Sequence, residues 1–387
     1  MITRATPLGD LRGQYLLDGE YTFLNNGSFG AVPIPVFERH LELQRELESH
    51  PARFLRDRTE AGRARSRVVL AEYLGTAWEN LALVTNVTVG MNVVARSMRL
   101  SAGDEVLSTD HEYGSIDGAW SYIAFRHGFR YIRHDVPVPF RTPEEVADAL
   151  WEGVTPRTRV ISFSHITSPT ALTFPAKLIC KRAREAGILT VVDGAHAPGQ
   201  IDLDLDDLGA DFYCGNLHKW AGGPKGTAFL YARPEVQDLI QPLVANGHWR
   251  RKPDGPPLFV DAVQNLGTRD LSRFLVIPEM IEFMREHDWP TVRQRCHALV
   301  RQAQQRLCEF ADKPPLHGDD KRWYSQMAAC PVPTRDTKAL CSRLFDEYKI
   351  ETTIYIWNDH PLLRVSIQAY NNQDDVDRLM DAVKALL

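Results

Sequence analysis

Short apolar runs alternate with amphipathic stretches through the first two thirds of the chain. The apolar runs predict strands at residues 81–85, 105–108, 131–134, 160–164, 189–193, 211–214 and 227–231. Between them, periodic apolar positions predict helices that begin near Pro35, Val89, Ile116, Pro143, Ala176 and Pro234. Such alternation is typical of an α/β fold with a mostly parallel, doubly wound sheet.

The pattern changes after residues 246–267, where Pro253, Gly255, Pro256 and Pro257 indicate irregular chain. Beyond this stretch the sequence predicts a long helix over 275–310, a strand at 326–330 and a helix at 337–348. Strands around 352–355 and 362–367 and a last helix at 374–386 follow. We therefore predict a large domain at 23–264 and a smaller α+β domain at 265–387, with segment 1–22 packing near the smaller one.

Composition and charge narrow the class of protein. The 387 residues are 44% hydrophobic and carry a net charge of −5, which argues against a nucleic-acid partner. No apolar run approaches the roughly 18 residues of a membrane helix, and residues 1–7 lack a signal-peptide core. The six cysteines form no CxxC pair and no His/Cys cluster is apparent, so we expect a cytoplasmic protein without a bound metal.

Two polar residues follow neighbouring predicted strands. Asp193 ends one strand and Lys219 comes shortly after the next, so both are expected at the carboxyl edge of the sheet. A lysine in a pocket can attack a carbonyl as an amine, and a buried aspartate can keep a heterocyclic nitrogen protonated. Pyridoxal 5′-phosphate needs both groups. The alternative is that Lys219 is a surface lysine and Asp193 a helix N-cap.

The blocks Asp193-Gly194-Ala195-His196 and Asn216-Leu217-His218-Lys219 resemble those of the class V aminotransferase group of fold-type-I pyridoxal-phosphate enzymes. The resemblance covers nearly the whole chain and is greatest to the isopenicillin N epimerase-like branch. It implies that Lys219 is the Schiff-base lysine and that Asp193 pairs with the pyridine nitrogen. It also implies that His196 lies near the phenolic oxygen of the cofactor.

A strand end that runs into a helix at Val87 and Thr88 suits a phosphate, because helix N-termini offer N–H groups and partial positive charge. Such residues are also common as plain caps. The resemblance implies phosphate contacts for Val87, Thr88, Asn216 and His218. It further implies that Thr268, in Gly267-Thr268-Arg269-Asp270, reaches the neighbouring subunit of a homodimer with active sites at the interface, although these four residues also fit a simple turn.

Four further positions are carried over from the same resemblance. Tyr113, rather than His111, is expected to stack on the cofactor ring, and Ser168 to contact a cofactor oxygen where desulfurases have asparagine. Arg364 is expected to bind the α-carboxylate of an amino-acid substrate, as a bidentate guanidinium does. Asn26 is expected to face the substrate.

The resemblance implies an enzyme that acts at Cα of an amino acid and favours an epimerase, in which Tyr113 would supply the second acid. A C–S lyase that eliminates a β-substituent from a cysteine derivative and an aminotransferase share the first steps and stay open, as does a non-enzymatic regulator with this fold. A cysteine desulfurase is rejected, because residues 349–360 contain no cysteine. GxGxxG and GxSxG motifs are also missing, which argues against a nicotinamide oxidoreductase and an α/β-hydrolase.

Overall fold

Twelve strands are present in the computed structural model, which describes residues 11–247 and 258–387. In chain order they are β1 (Thr22–Phe23), β2 (Leu81–Val84), β3 (Glu105–Thr109), β4 (Arg130–His134), β5 (Thr158–Ser164), β6 (Leu189–Asp193), β7 (Phe212–Asn216), β8 (Ala228–Ala232), β9 (Met327–Pro331), β10 (Ile350–Glu351), β11 (Thr353–Trp357) and β12 (His360–Ser366).

The central sheet has the order β2-β8-β7-β6-β5-β3-β4. All its neighbours are parallel except β8, which runs antiparallel to both β2 and β7. The seven strands predicted from the sequence are confirmed, with ends displaced by two residues at most. The prediction of a mostly parallel α/β sheet is therefore correct.

Burial on both faces explains why these strands are almost continuously apolar. Successive residues of a strand point to opposite faces. In β6, Val191 belongs to one hydrophobic cluster and Val192 to the other, and Phe212 and Tyr213 of β7 divide in the same way. A sheet covered by helices on both sides needs this pattern, which leaves the strand ends as the place for polar residues.

Helices cover the sheet and build most of the C-terminal third. They are α1 (Ile34–Ser49), α2 (Pro51–Arg53), α3 (Thr59–Leu74), α4 (Val87–Ser97), α5 (Gly114–His127), α6 (Pro143–Trp151), α7 (Ala176–Glu185), α8 (Leu205–Leu208), α9 (Leu258–Gln264), α10 (Ile277–Glu286), α11 (Trp289–Ala311), α12 (Thr337–Asp346) and α13 (Gln373–Leu386).

Two predictions about helices were wrong. The single helix expected over 275–310 is two helices, α10 and α11, because Asp288 adopts a left-handed conformation (φ +46°) and Pro290 opens the second helix. A proline lacks the N–H group that a continuous helix needs, but it is well tolerated in the first turn. In addition, α3 was not predicted at all.

The stretch 246–267 was predicted to be irregular, but part of it is helical. Its end forms α9, and Gln264 Oε1 accepts the N–H of Leu83 at 2.9 Å, which fastens this helix to strand β2. Residues 248–257, including the prolines that suggested a loop, lie outside the described residues. The proposed domain boundary at 264/265 stays a prediction.

The C-terminal part has its own small sheet and receives the N-terminal segment. Strands β11, β12 and β9 form an antiparallel sheet in that order, as expected for an α+β unit. Strand β1 pairs in parallel with β10, and Asn25 bridges to Ser366. Within residues 11–247 and 258–387, no helix combines the length and apolar character that a membrane crossing requires.

Candidate active site

A cleft lies beyond the carboxyl ends of β5, β6 and β7, where Ser164, Asp193 and Asn216 end their strands. Parallel sheets bind ligands at this edge. The structure brings eight of the predicted residues to its wall, namely Val87, Thr88, Tyr113, Ser168, Asp193, His196, Asn216 and Lys219. The other wall residues are Ile116, Ser164, Ile166 and Ala195.

Lys219 projects into this cleft from the loop after β7. Burial and, to a smaller extent, the nearby Arg364 together lower the pKa of its amine to about 7, although the charge of Asp193 opposes the shift. Nζ of Lys219 lies 3.2 Å from Nε2 of His196. Near neutral pH much of the amine is therefore unprotonated, as a nucleophile or a base must be.

Asp193 is buried at the tip of β6. Its Oδ1 accepts the N–H of Ala195 at 2.8 Å. Burial raises the pKa of the carboxyl, whereas the Ala195 N–H and the Lys219 amine lower it. An acidic group in this position can accept a hydrogen bond from a protonated ring nitrogen.

The start of α4 forms one end of the cleft. Asn86 caps this eleven-residue helix by accepting the N–H of Val89 at 2.9 Å, and Asn216 Oδ1 accepts the N–H of Val87 at 3.0 Å. Asn216 therefore fixes the helix start with its oxygen. The hydroxyl of Thr88 and the partial positive charge of the helix end suit an anion here.

His218 is not brought to the wall of this cleft. Its Nδ1 lies 2.9 Å from the carbonyl oxygen of Thr227. Burial lowers the pKa of the imidazole to about 4, so the ring is neutral at physiological pH. Its observed contact holds the loop that carries Lys219.

Arg364 is fully buried beside the cleft. Its guanidinium donates to Ser168 O at 2.9 Å, to Ser168 Oγ at 3.1 Å and to Ser28 Oγ at 2.9 Å. It also lies over the ring of Tyr355, 4.8 Å from the centroid. Nε has no hydrogen-bond partner, and no carboxylate of the described chain pairs with this charge. A buried guanidinium surrounded by neutral acceptors is a ready site for a carboxylate.

Asn26 and Thr268 lie outside the wall of this cleft in the described chain. Both polar atoms of Asn26 are engaged by the protein, because Nδ2 donates to Lys219 O at 3.3 Å and Oδ1 accepts from Tyr370 at 2.9 Å. Asn26 thus contacts the backbone of the loop that carries Lys219. Thr268 is exposed after α9 and does not line this cleft in the described chain.

Tyr113, not His111, reaches the cleft. Tyr113 is 44% exposed at the start of α5. His111 is completely buried between Thr170 Oγ1 at 2.8 Å and Val136 O at 2.7 Å, with the Trp357 ring 4.7 Å away. The imidazole of His111 is therefore part of the packing between the sheet and the β11–β12 hairpin.

Sequence reasoning missed several neighbours of the predicted residues. Trp220 Nε1 donates to His196 Nδ1 at 3.2 Å, and Ser28 supplies a partner of Arg364. Glu112 lies buried behind the cleft, where it accepts from Thr109 Oγ1 at 2.7 Å and from Ser164 Oγ at 2.6 Å. Burial raises the pKa of Glu112 to about 8 despite these bonds. Only for Trp220 did the sequence contain a hint, because its position directly after Lys219 places it near the cleft.

The donor set of the cleft fits pyridoxal 5′-phosphate. Lys219 offers an amine to its aldehyde, Asp193 a carboxylate to its ring nitrogen, and Thr88 with the start of α4 donors to its phosphate. Arg364 adds a cation for a substrate carboxylate. Each chemical group of the cofactor thus has a matching residue in the chain.

Comparisons with known proteins agree with this fit. The chain matches the family model described as "Aminotransferase class-V" over residues 32–379. It is 36% identical over 397 residues to the isopenicillin N epimerase of Amycolatopsis lactamdurans, an alignment that covers 99% of each chain. A probable chloroplastic L-cysteine desulfhydrase of Arabidopsis thaliana is 28% identical over 96% of this chain and 84% of its own.

A solved structure shows that the fold is shared as well. A mutant of C-DES with glycine covalently linked to its PLP cofactor has a TM-score of 0.82 at 20% identity. The superposition covers 98% of this chain and 99% of that one. The central sheet and the C-terminal unit are therefore those of a known enzyme fold.

Proposed function

Since this chain belongs to the class V aminotransferase family of pyridoxal-phosphate enzymes, we propose that it is an amino-acid epimerase similar to isopenicillin N epimerase. It acts at Cα of a substrate with a free α-amino group and an α-carboxylate. The relative that is 36% identical over 99% of both chains supports this assignment.

Pyridoxal 5′-phosphate, when bound, withdraws electrons from Cα of an attached substrate and makes the α-proton acidic. We assign Lys219 as the residue that would hold the cofactor through its aldehyde and as the base that would take the α-proton of the substrate. The lowered pKa of Lys219, about 7, supports this role. Asp193 accepts the hydrogen bond of the pyridine N–H, and Val87 and Thr88 hold the phosphate.

Arg364 binds the α-carboxylate in this proposal. Its buried charge has neutral partners in Ser168, Ser28 and the Tyr355 ring, so a substrate carboxylate supplies the missing anion. Two guanidinium bonds to one carboxylate also fix its orientation. That orientation determines which bond of Cα stands beside Lys219.

The observation that carries epimerisation is that a second proton carrier shares the cleft with Lys219. Tyr113 lines the same cleft and lies within electrostatic range of Arg364. Epimerisation requires a proton to leave one face of Cα and to return to the other. We assign Lys219 to the first step and the hydroxyl of Tyr113 to the second.

A C–S lyase is the second candidate. The L-cysteine desulfhydrase relative, 28% identical over 96% of this chain, favours it. The same residues remove the α-proton, after which a β-substituent leaves instead of a proton returning. A desulfurase that forms a persulfide on its own cysteine is not proposed, because none of the six cysteines lines the cleft.

We also propose a homodimer in which Thr268 contacts the cofactor phosphate of the partner subunit. Thr268 is exposed and lies away from the cleft of its own chain, which is compatible with service to another copy. A cytoplasmic location is proposed as well. All six cysteines are unpaired, which suits a reducing compartment.

The decisive experiment incubates the holoenzyme with a panel of amino acids, isopenicillin N among them, in deuterated water. Deuterium at Cα with inverted configuration and retained nitrogen supports the epimerase. An oxo acid with ammonia and a thiol supports the lyase, and an oxo acid with the cofactor converted to its amine form contradicts both. The Lys219→Ala variant is the control and is expected to produce none of these.

A further inference from the structure

The imidazole of His196 lies between two nitrogen groups that come from adjacent residues. Trp220 Nε1 is 3.2 Å from Nδ1, and Lys219 Nζ is 3.2 Å from Nε2. The side chains of His196 and Trp220 are buried. Water therefore has little access to either hydrogen bond, and the protein determines which atoms carry hydrogen.

The chemistry of the indole group decides the tautomer. An indole N–H can donate a hydrogen bond but cannot accept one. Nδ1 of His196 must therefore accept, so the single hydrogen of the neutral ring is on Nε2. That hydrogen points to Lys219, whose amine can accept it only if its lone pair is free, since an ammonium group has no acceptor.

We propose that Trp220 is a positioning residue that holds His196 in its Nε2–H tautomer and thereby keeps the Lys219 amine neutral. The inference rests on the proposed role of Lys219 as the cofactor-binding base. It concerns a step that precedes every reaction considered above, so it is independent of which product forms.

Most of the groups around the pair act in the same direction, and Asp193 is the exception. Burial, Lys219 and Arg364 all lower the pKa of His196, so a doubly protonated imidazolium is disfavoured. Burial and Arg364 lower the pKa of Lys219, and Asp193 is the group that raises it. The charge of Asp193 also contributes to raising the pKa of Glu112, which lies behind the cleft.

The backbone of Trp220 is held tightly enough to aim the indole. Gln368 Nε2 donates to Trp220 O at 3.1 Å. On the other side, a Cβ atom added to Gly199 would lie 2.5 Å from the carbonyl carbon of Trp220. The ring thus has fixed neighbours and little freedom to turn away from His196.

The first test reads the tautomer directly. The full-length protein without cofactor is labelled with ¹⁵N-histidine, and the His196 signals are identified by their loss in a His196→Gln variant. We expect hydrogen on Nε2 and none on Nδ1 throughout the neutral pH range. Hydrogen on Nδ1, or on both nitrogens, would overturn the proposal whether or not the enzyme epimerises any amino acid.

The second test removes the indole N–H while keeping an aromatic ring. In Trp220→Phe, Nδ1 is free to take the hydrogen and Nε2 can accept from a protonated Lys219. Less of the Lys219 amine is then unprotonated at neutral pH. We expect the pH midpoint for cofactor capture by the full-length cofactor-free protein to rise by about one unit, which lowers the rate of capture at neutral pH by up to about tenfold.

Trp120→Phe is the matched control, because Trp120 is also buried and donates from Nε1, in its case to Ser162 at 2.9 Å. Its midpoint is expected to equal that of the wild type. An unchanged midpoint in folded Trp220→Phe would contradict the inference. If that variant does not fold, the tautomer observed in the wild type decides alone.

Discussion

Gly30 lies directly against the backbone of Lys219. A Cβ atom added to Gly30 would lie 1.9 Å from the carbonyl oxygen of Lys219, and the Gly30 N–H donates to His218 O at 3.1 Å. The loop that carries the lysine is therefore held by the N-terminal segment as well as by the sheet. Residue 30 has to be glycine for reasons of space.

Gly30→Ala is expected to displace the lysine loop. Overpacking of this kind costs about 1–3 kcal/mol of stability, and a displaced Lys219 should lower the affinity for pyridoxal 5′-phosphate by at least about tenfold. Thermal unfolding and cofactor titration measure the two effects. Gly118→Ala is the control, because open space surrounds Gly118 in α5, and it should leave cofactor affinity unchanged. Equal affinity in both variants would show that the contact is dispensable.

Arg364→Met is expected to weaken the use of the substrate without lowering the stability of the protein. Loss of charge-assisted bonds worth about 1.5–3 kcal/mol should lower kcat/KM by about 10–100-fold. The cofactor-free protein should be no less stable, since a buried charge without a carboxylate partner is replaced by an apolar side chain of similar size. Steady-state kinetics and thermal unfolding test this.

Arg343→Met serves as the comparison for Arg364, because Arg343 is exposed and pairs with Glu347 at 2.7 Å on α12. Its kinetics should match those of the wild type. A large loss of stability in Arg364→Met with unchanged KM would instead assign Arg364 a purely structural role.

Glu112 makes stability depend on pH. Burial raises the pKa of its carboxyl to about 8, so the folded protein keeps a proton that the unfolded chain loses at lower pH. Stability from this group is thus fully present at acidic pH and is lost as pH rises through about 8. Glu112→Gln should remove that loss, so its Tm relative to the wild type should increase with pH.

The control for Glu112 is Glu48→Gln, at an exposed position of α1. Its Tm should follow the wild-type curve at every pH. Parallel curves for Glu112→Gln and the wild type would mean that the Glu112 carboxyl ionises normally in the folded protein.

The proposed sharing of Thr268 between subunits can be tested by complementation. Lys219→Ala and Thr268→Glu homodimers should both be inactive, the second because a carboxylate repels the phosphate. In a mixed dimer, one of the two sites combines the intact Lys219 of the Thr268→Glu subunit with the intact Thr268 of the Lys219→Ala subunit. An equal mixture should regain about a quarter of wild-type activity, since about half of the dimers are mixed. No recovery would place Thr268 outside the partner's site.

The local pattern of apolar and polar residues was sufficient to predict most of the central sheet. Its strands are apolar on both faces and end in polar residues, so their ends were predicted closely, and Asp193 and Lys219 followed from them. Helix α3 was missed because its buried stripe is not consistently apolar: four of its positions are Thr59, Gly62, Ser66 and Arg67. The break between α10 and α11 depends on the backbone of Asp288, which composition alone does not reveal.

The contacts that complete the site join distant parts of the chain. Ser28 and Arg364 are separated by 336 residues and meet only in the folded protein. The Trp220–His196 bond likewise depends on how two loops pack. Motifs therefore identified the residues proposed to react, whereas the residues that contact and orient them could be found only in the three-dimensional structure.

Because Arg364 lies on β12, it is translated after the whole central sheet. A growing chain that has reached Ala232 already contains all seven strands of the central sheet together with Asp193 and Lys219. Domains generally fold from the N-terminal side during synthesis. The part proposed to hold the cofactor can thus form on the ribosome while Arg364, proposed to bind the substrate carboxylate, is still untranslated, and an unfinished chain lacks part of the proposed site.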